Sequence, residues 1–194
     1  MLDAIKILRD KTSAGVMDCK SALREAKGDV EKAIVILRKK GIKLASEKSS
    51  RVAKEGLIES YIHSNGKIGV LVEVNCETDF VARNDEFKKF VRDISMQIAA
   101  SKPIYVRRED VPGEMVKKEK EILAFPVKNK PKETLEKILA GKLEKFYGKI
   151  CLLEQPFVKD PKMKIKGLLY SLIAKIGENI VIRRFARYQL GEKV

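Results

Sequence analysis

Apolar residues recur at helical spacing through the first part of the chain. Leu2, Ile5 and Leu8 share one face of LDAIKILRDKT, TSAG breaks the run, and MDCKSALREAKG carries on to a stop at Gly28. Asp29 is placed to cap a third helix, whose stripe is Ala33, Ile34 and Leu37 and whose expected end is Gly41. Residues 1–41 therefore read as a compact three-helix module. The next stretch, IKLASEKSSRVAKE (42–55), has scattered apolar residues among Lys and Ser, which predicts a solvated basic helical linker.

A change of period opens the core domain, 56–194. GLIESYIH and KIGVLVEVNC are β-branched and partly alternating, and the SNG between them predicts a β-hairpin. EFKKFVRDISMQIAA returns to helical spacing, with Phe87, Phe90, Val91, Ile94 and Ile98 on one stripe. Prolines then punctuate the chain before EMVKKEKEILAF, a further helix, and NKP at 129–131 starts KETLEKILAGKLEKFY, one or two more. KICLLEQPF is a short apolar segment, and a buried helix is expected between Lys164 and Lys175. ENIVIRRFARYQL reads as a strand that pairs with the hairpin. The fold class is α+β: a three-helix module, then a three-stranded antiparallel sheet packed against helices. No internal repeat or low-complexity tract interrupts it.

One stretch resists this scheme. In NCETDFVARNDEF, Phe80 follows an acidic residue where strand gives way to helix. Phe80 precedes Phe87 by seven residues, so a helix starting at Thr78 or Asp79 aligns it with the core stripe. The polar run Arg83–Glu86 separates the two, however, and leaves Phe80 at a tip. Periodicity permits both a core phenylalanine and an exposed one.

Charge narrows the choice of partner. The 194 residues carry 41 basic and 27 acidic side chains, a net +14, which suits nucleic acid, an acidic protein surface or anionic lipid. The excess is uneven: residues 1–55 carry +6, residues 56–100 carry −2, and residues 101–194 carry +10. TDFVA lies in the acidic segment, which argues against a phosphate backbone as its target. Cys19, Cys76 and Cys151 are far apart, without CxxC, and His63 is the only histidine, so neither a zinc site nor a disulfide framework is indicated. The amphipathic, mixed-charge N-terminus and the lack of a long apolar run predict a soluble, cytoplasmic protein.

Catalytic chemistry finds no purchase. There is no GxxxxGK[ST], GxGxxG or HExxH, and His63 flanks a turn. Glu77 and Asp79 are a carboxylate pair without a recognisable substrate groove. RRFARY (183–188) is the one stretch where aromatic and basic residues interleave as in a base-stacking platform, and there Phe185 is expected to face the core. The reading is of a protein that makes no bonds and needs no metal or cofactor.

Three separated stretches resemble one family, the bacterial and organellar translation elongation factor Ts proteins. They are LRDKTSAGVMDCKSALREAKGDVEKAIVILRKKG, GVLVEVNCETDFVARNDEF and KPKETLEKILAGKLEKFYGKICLLEQPFVKDP, and they span essentially the whole chain. The resemblance implies that the N-terminal module is similar in fold to ubiquitin-associated domains. It implies a guanine-nucleotide exchange factor for elongation factor Tu, in which Thr78, Asp79, Phe80 and Val81 contact the GTPase, Phe80 wedges between its helices, and the magnesium and phosphate site is disturbed. A second contact through Val16 and Met17 is implied as well. The chain resembles the short class, for which a homodimer is implied, with ENIVIRRFARYQL as the candidate interface; no nucleic acid or membrane is required. The alternatives are a basic RNA- or ribosome-binding accessory protein, which accounts for the charge directly, and a helical adaptor in which TDFVA is scaffold.

Overall fold

The computed structural model describes residues 2–12, 14–63, 65–125 and 132–192. Ser13 of the expected TSAG break, Ser64 of the SNG turn and the NKP helix start at 129–131 lie outside them. The described residues form eight α-helices and five strands: α1 (Leu2–Thr12), α2 (Val16–Glu25), α3 (Val30–Lys48), β1 (Glu55–Ile62), β2 (Ile68–Cys76), α4 (Asp79–Arg83), α5 (Asp85–Ser101), α6 (Gly113–Ala124), α7 (Lys132–Ile150), β3 (Pro156–Phe157), β4 (Asp160–Lys164), α8 (Ile165–Ile176) and β5 (Val181–Gln189). The fold is α+β, as the sequence predicts. β2 is the middle strand of a three-stranded antiparallel sheet, with β1 and β5 at its edges. Among the described residues no helix is long and apolar enough to cross a membrane.

The chain divides into two compact units. The first comprises residues 1–59, 72–93 and 166–183. Its N-terminal helices close on Ile5, Leu8, Cys19, Ala22, Leu23, Ala26 and Ala33. The stop after α2 is made as Gly28 implies: its N–H donates to the Leu23 carbonyl at 2.8 Å. Asp29 then caps α3, accepting from the Lys32 N–H at 3.0 Å.

The expected end of that helix at Gly41 is corrected. α3 runs on to Lys48, and Gly41 is buried within it. A β-carbon built there would stand 3.5 Å from the Tyr170 carbonyl oxygen and 3.7 Å from the Ala174 side chain, ordinary contact distances, so Gly41 lies on the face that α3 packs against α8. Burial of that face, with Ala45 one turn on, carries the helix through a residue that costs it roughly 1 kcal/mol. One glycine is fixed by crowding, where β1 begins. Gly56 has φ 140°, and a β-carbon there would lie 2.1 Å from the Val74 carbonyl oxygen. Val72, Val74 and Cys76 of β2, Phe87, Phe90 and Val91 of α5, and Ile180 and Ile182 before and in β5 are buried in this unit.

The second unit comprises residues 60–71, 94–165 and 184–194. The two helices allowed by KETLEKILAGKLEKFY prove to be one, α7, which passes through Gly141. Pro156, in the apolar segment KICLLEQPF, opens β3, which pairs antiparallel with β4. Two polar clusters hold this unit. Gln97, fully buried, donates to Ser101, Gln155 and the Pro156 carbonyl, and accepts from the Val158 N–H at 2.8 Å. Arg108 forks onto both oxygens of Glu144 at 2.6 Å, donates to Glu154 at 2.8 Å, and stacks over the Tyr147 ring. Lys164 completes the charge balance of Glu154 at 3.0 Å. These donors, Arg108 first, hold the Glu154 carboxyl down at about 2.

Candidate functional site

The residues picked out at the strand–helix junction form one short structure. β2 ends at Cys76, and Thr78 adopts an extended backbone that starts α4. Its hydroxyl oxygen accepts from the Val81 N–H at 3.4 Å, an N-cap of ordinary design. Asp79 opens the helix, where a carboxylate suits the positive end of the helix dipole, and pairs with Arg83 one turn on at 2.9 Å.

The ambiguity over Phe80 is resolved by Asn84. The helix does begin at Asp79, but it ends at Arg83, since Asn84 takes an extended conformation. The Asn84 side chain then caps a new helix, accepting from the Glu86 N–H at 2.8 Å and the Phe87 N–H at 3.4 Å. The seven-residue spacing from Phe80 to Phe87 therefore spans two helices and aligns nothing. Phe87 is fully buried and Phe80 is 79% exposed. α4 as a whole buries no residue.

Behind this exposed turn lies a polar clasp that the sequence did not reveal. The carboxylate of Glu178 accepts the backbone N–H of Glu77 at 3.0 Å, the backbone N–H of Thr78 at 3.1 Å and the Thr78 hydroxyl at 2.7 Å. Glu77 answers in the other direction, accepting the Asn179 N–H at 2.6 Å. Arg51 lies 3.5 Å from the other Glu77 oxygen, and its own carbonyl accepts from the Asn179 side chain at 2.7 Å. The Asn179 N–H, and after it Arg51, lower the Glu77 carboxyl below its usual range. Glu77 and Asp79 thus have separate structural partners, which answers the carboxylate-pair reading of the sequence. Lys175 pairs with Glu86 at the start of α5. No sequence signal pointed to Glu178 or Asn179, which meet the junction from about a hundred residues downstream.

Cys76 lies beneath the turn. Fully buried, it donates to the Thr78 carbonyl at 3.2 Å, and burial pushes its thiol up to about 11. It serves as a small packed donor. Val16 and Met17, the other residues selected from the sequence, are the first two of α2 and are both exposed, Met17 at 74%. Cys19, in the same turn, faces the module's core instead. Among the described residues no group of three or more His, Cys, Asp or Glu side chains is arranged to hold a metal ion.

Fold and junction define an α+β protein with N-terminal helices that presents an aromatic side chain to solvent from a tethered turn. The family described as Elongation factor TS matches residues 4–171. Elongation factor Ts of Carboxydothermus hydrogenoformans is 62% identical over 190 residues, covering 97% of this chain and 88% of that protein. Elongation factor Ts of Caldanaerobacter subterraneus subsp. tengcongensis is 58% identical across 98% of this chain and 96% of its own length. The Thermotoga maritima protein of the same name is 56% identical across 98% and 96%. The chain belongs to the elongation factor Ts family of translation elongation factors.

Proposed function

We propose that this protein is a guanine-nucleotide exchange factor for elongation factor Tu, and that Phe80 is the side chain it inserts into the GTPase. The observation that carries the reading is a phenylalanine 79% exposed on a helix with no fully buried residue, yet tethered from behind by charged hydrogen bonds. A large apolar side chain held out in water on a fixed support has more to gain from a protein partner than from its own fold. The flanking Thr78, Asp79 and Val81 fix how it arrives.

The chemistry at the partner is displacement without bond-making. A GTPase holds Mg²⁺ between nucleotide phosphates and protein oxygens in octahedral geometry at about 2.0–2.1 Å, so small shifts of the ligands cost much affinity. Phe80 supplies the shift by entering between helices of the GTPase domain. Burying one phenylalanine contributes about 1.5–3 kcal/mol, which alone accounts for roughly one to two powers of ten in release. Val16 and Met17 provide a second contact that holds the wedge in place. The protein needs no cofactor of its own, works in the cytoplasm, and functions as a homodimer in which the edge strand β5 takes part.

Coupling between factor and nucleotide is reciprocal. Gel filtration of the protein with nucleotide-free elongation factor Tu is expected to give a stable complex that GDP with Mg²⁺ dissolves. A complex indifferent to nucleotide contradicts the proposal, and so does the absence of any complex.

A further inference from the structure

α4 is five residues long and none of them is fully buried: Val81 and Ala82 are half-buried and Phe80 is exposed, so the short helix depends on its ends for its direction. At the far end the chain breaks at Asn84, which belongs to the cap of α5. At the near end the Glu77 and Thr78 N–H groups lie past the last residue of β2 and before the first turn of α4, where neither ladder nor helix offers an acceptor. Glu178 accepts both of them and the Thr78 hydroxyl as well.

We propose that Glu178 is a positioning residue for nucleotide exchange: it fixes the orientation of α4 and so the direction in which Phe80 is presented. The proposal rests on the reading in which Phe80 enters the GTPase. Charge-assisted hydrogen bonds are roughly twice as strong as neutral ones, and three of them converge on one carboxylate. The hydroxyl bond acts a second time. By drawing the Thr78 proton toward itself at 2.7 Å, Glu178 selects the side-chain rotamer whose lone pair faces the Val81 N–H and caps α4. Rotation is blocked by the reverse arm of the clasp, in which Glu77 accepts from Asn179 while Arg51 is bonded to both. Residues 77 and 78 thus donate two backbone N–H groups to the Glu178 carboxylate, and Asn179 returns one to the Glu77 carboxylate. Two opposed attachments define a direction where one leaves a hinge.

A double-mutant cycle separates positioning from general stability. Release of fluorescent GDP from elongation factor Tu is measured with the parent, Glu178→Ala, Phe80→Ala and the double variant, alongside amide hydrogen exchange at Glu77 and Thr78. Glu178→Ala is expected to slow release about tenfold when Phe80 is present and less than twofold in the Phe80→Ala background, because an alanine has little to lose by misdirection. Equal losses in both backgrounds overturn the proposal, as does no loss with Phe80 present. Should Glu178→Ala fail to fold, Glu178→Gln, which retains one acceptor oxygen, takes its place in the cycle with a smaller expected loss. If Phe80→Ala alone leaves release unchanged, the functional reading falls, and amide exchange then judges the clasp. Faster exchange at Glu77 and Thr78 in the Glu178 variant supports Glu178 as the group that fixes the turn, and parent-like protection overturns it.

Discussion

Replacing Phe80 by alanine separates what the side chain does for the fold from what it does for a partner. In the free protein it is 79% exposed, so only about a fifth of its surface has left water. Full burial of a phenylalanine is worth about 1.5–3 kcal/mol, so the fold loses roughly 0.3–0.6 kcal/mol, part of which alanine's higher helix propensity returns. For a chain of this size that is a shift of about 1–2 °C in Tm. The remaining four-fifths, about 1.2–2.4 kcal/mol, is available only in the complex and corresponds to roughly 8- to 60-fold slower exchange at subsaturating factor. The assay follows fluorescent GDP leaving elongation factor Tu, with a thermal melt of each factor in parallel. Phe87→Ala is the contrasting control: that ring is fully buried, and its loss is expected to cost about 3–5 kcal/mol of folding stability. Parent-rate exchange by Phe80→Ala refutes the wedge. A Tm drop comparable to that of Phe87→Ala refutes the exposure argument.

Other expectations follow from the two units. Glu154 sits at about 2 instead of its usual 4.5, with its side chain 9% exposed, so folding gains about 3 kcal/mol that is fully present above pH 4.5 and lost as pH falls toward 2. Urea unfolding of the parent and of Glu154→Gln should differ most at pH 7 and draw together as pH falls from 4.5 toward 2; a constant difference contradicts the assignment. Gly56→Ala, which forces a β-carbon to 2.1 Å from a carbonyl at φ 140°, should destabilise the protein on the order of 3 kcal/mol, read as a lowered urea midpoint. Cys19, Cys76 and Cys151 are fully buried and burial raises all three thiols, Cys76 and Cys151 to about 11. None should react with a thiol reagent at pH 8 until the protein is denatured, and rapid labelling of the native protein contradicts that burial.

Local signals carried much of the fold, because caps, turns and stripes act within a few residues. Asp29 capping α3, the hairpin around Gly66 and the stripe from Phe87 to Ile98 all lie where their spacing predicts. Gly41 misled because its setting is tertiary: it lies on the buried face of α3 beside Tyr170 and Ala174, and burial of that face carries the helix through it. β3 and β4 escaped notice since strands of two and five residues carry too little period to read. At the junction, periodicity left Phe80 open between core and surface, and the polar run Arg83–Glu86 was the local sign that it stands apart from the stripe. The sequence could not identify Glu178, an ordinary glutamate in GENI whose partners lie about a hundred positions earlier. Support of this kind is invisible in one dimension, because any surface carboxylate is equally eligible to provide it.

The central claim is that this protein empties a GTPase site repeatedly while making no bonds. Elongation factor Tu loaded with fluorescent GDP is mixed with excess unlabelled GDP and about one-hundredth as much of this protein, and the loss of signal is followed against a blank. Release of essentially all the label at many times the spontaneous rate, by a factor present at about 1% of the sites, is the predicted result. Release at the spontaneous rate contradicts the account, as does a burst that stops at one nucleotide per molecule of factor.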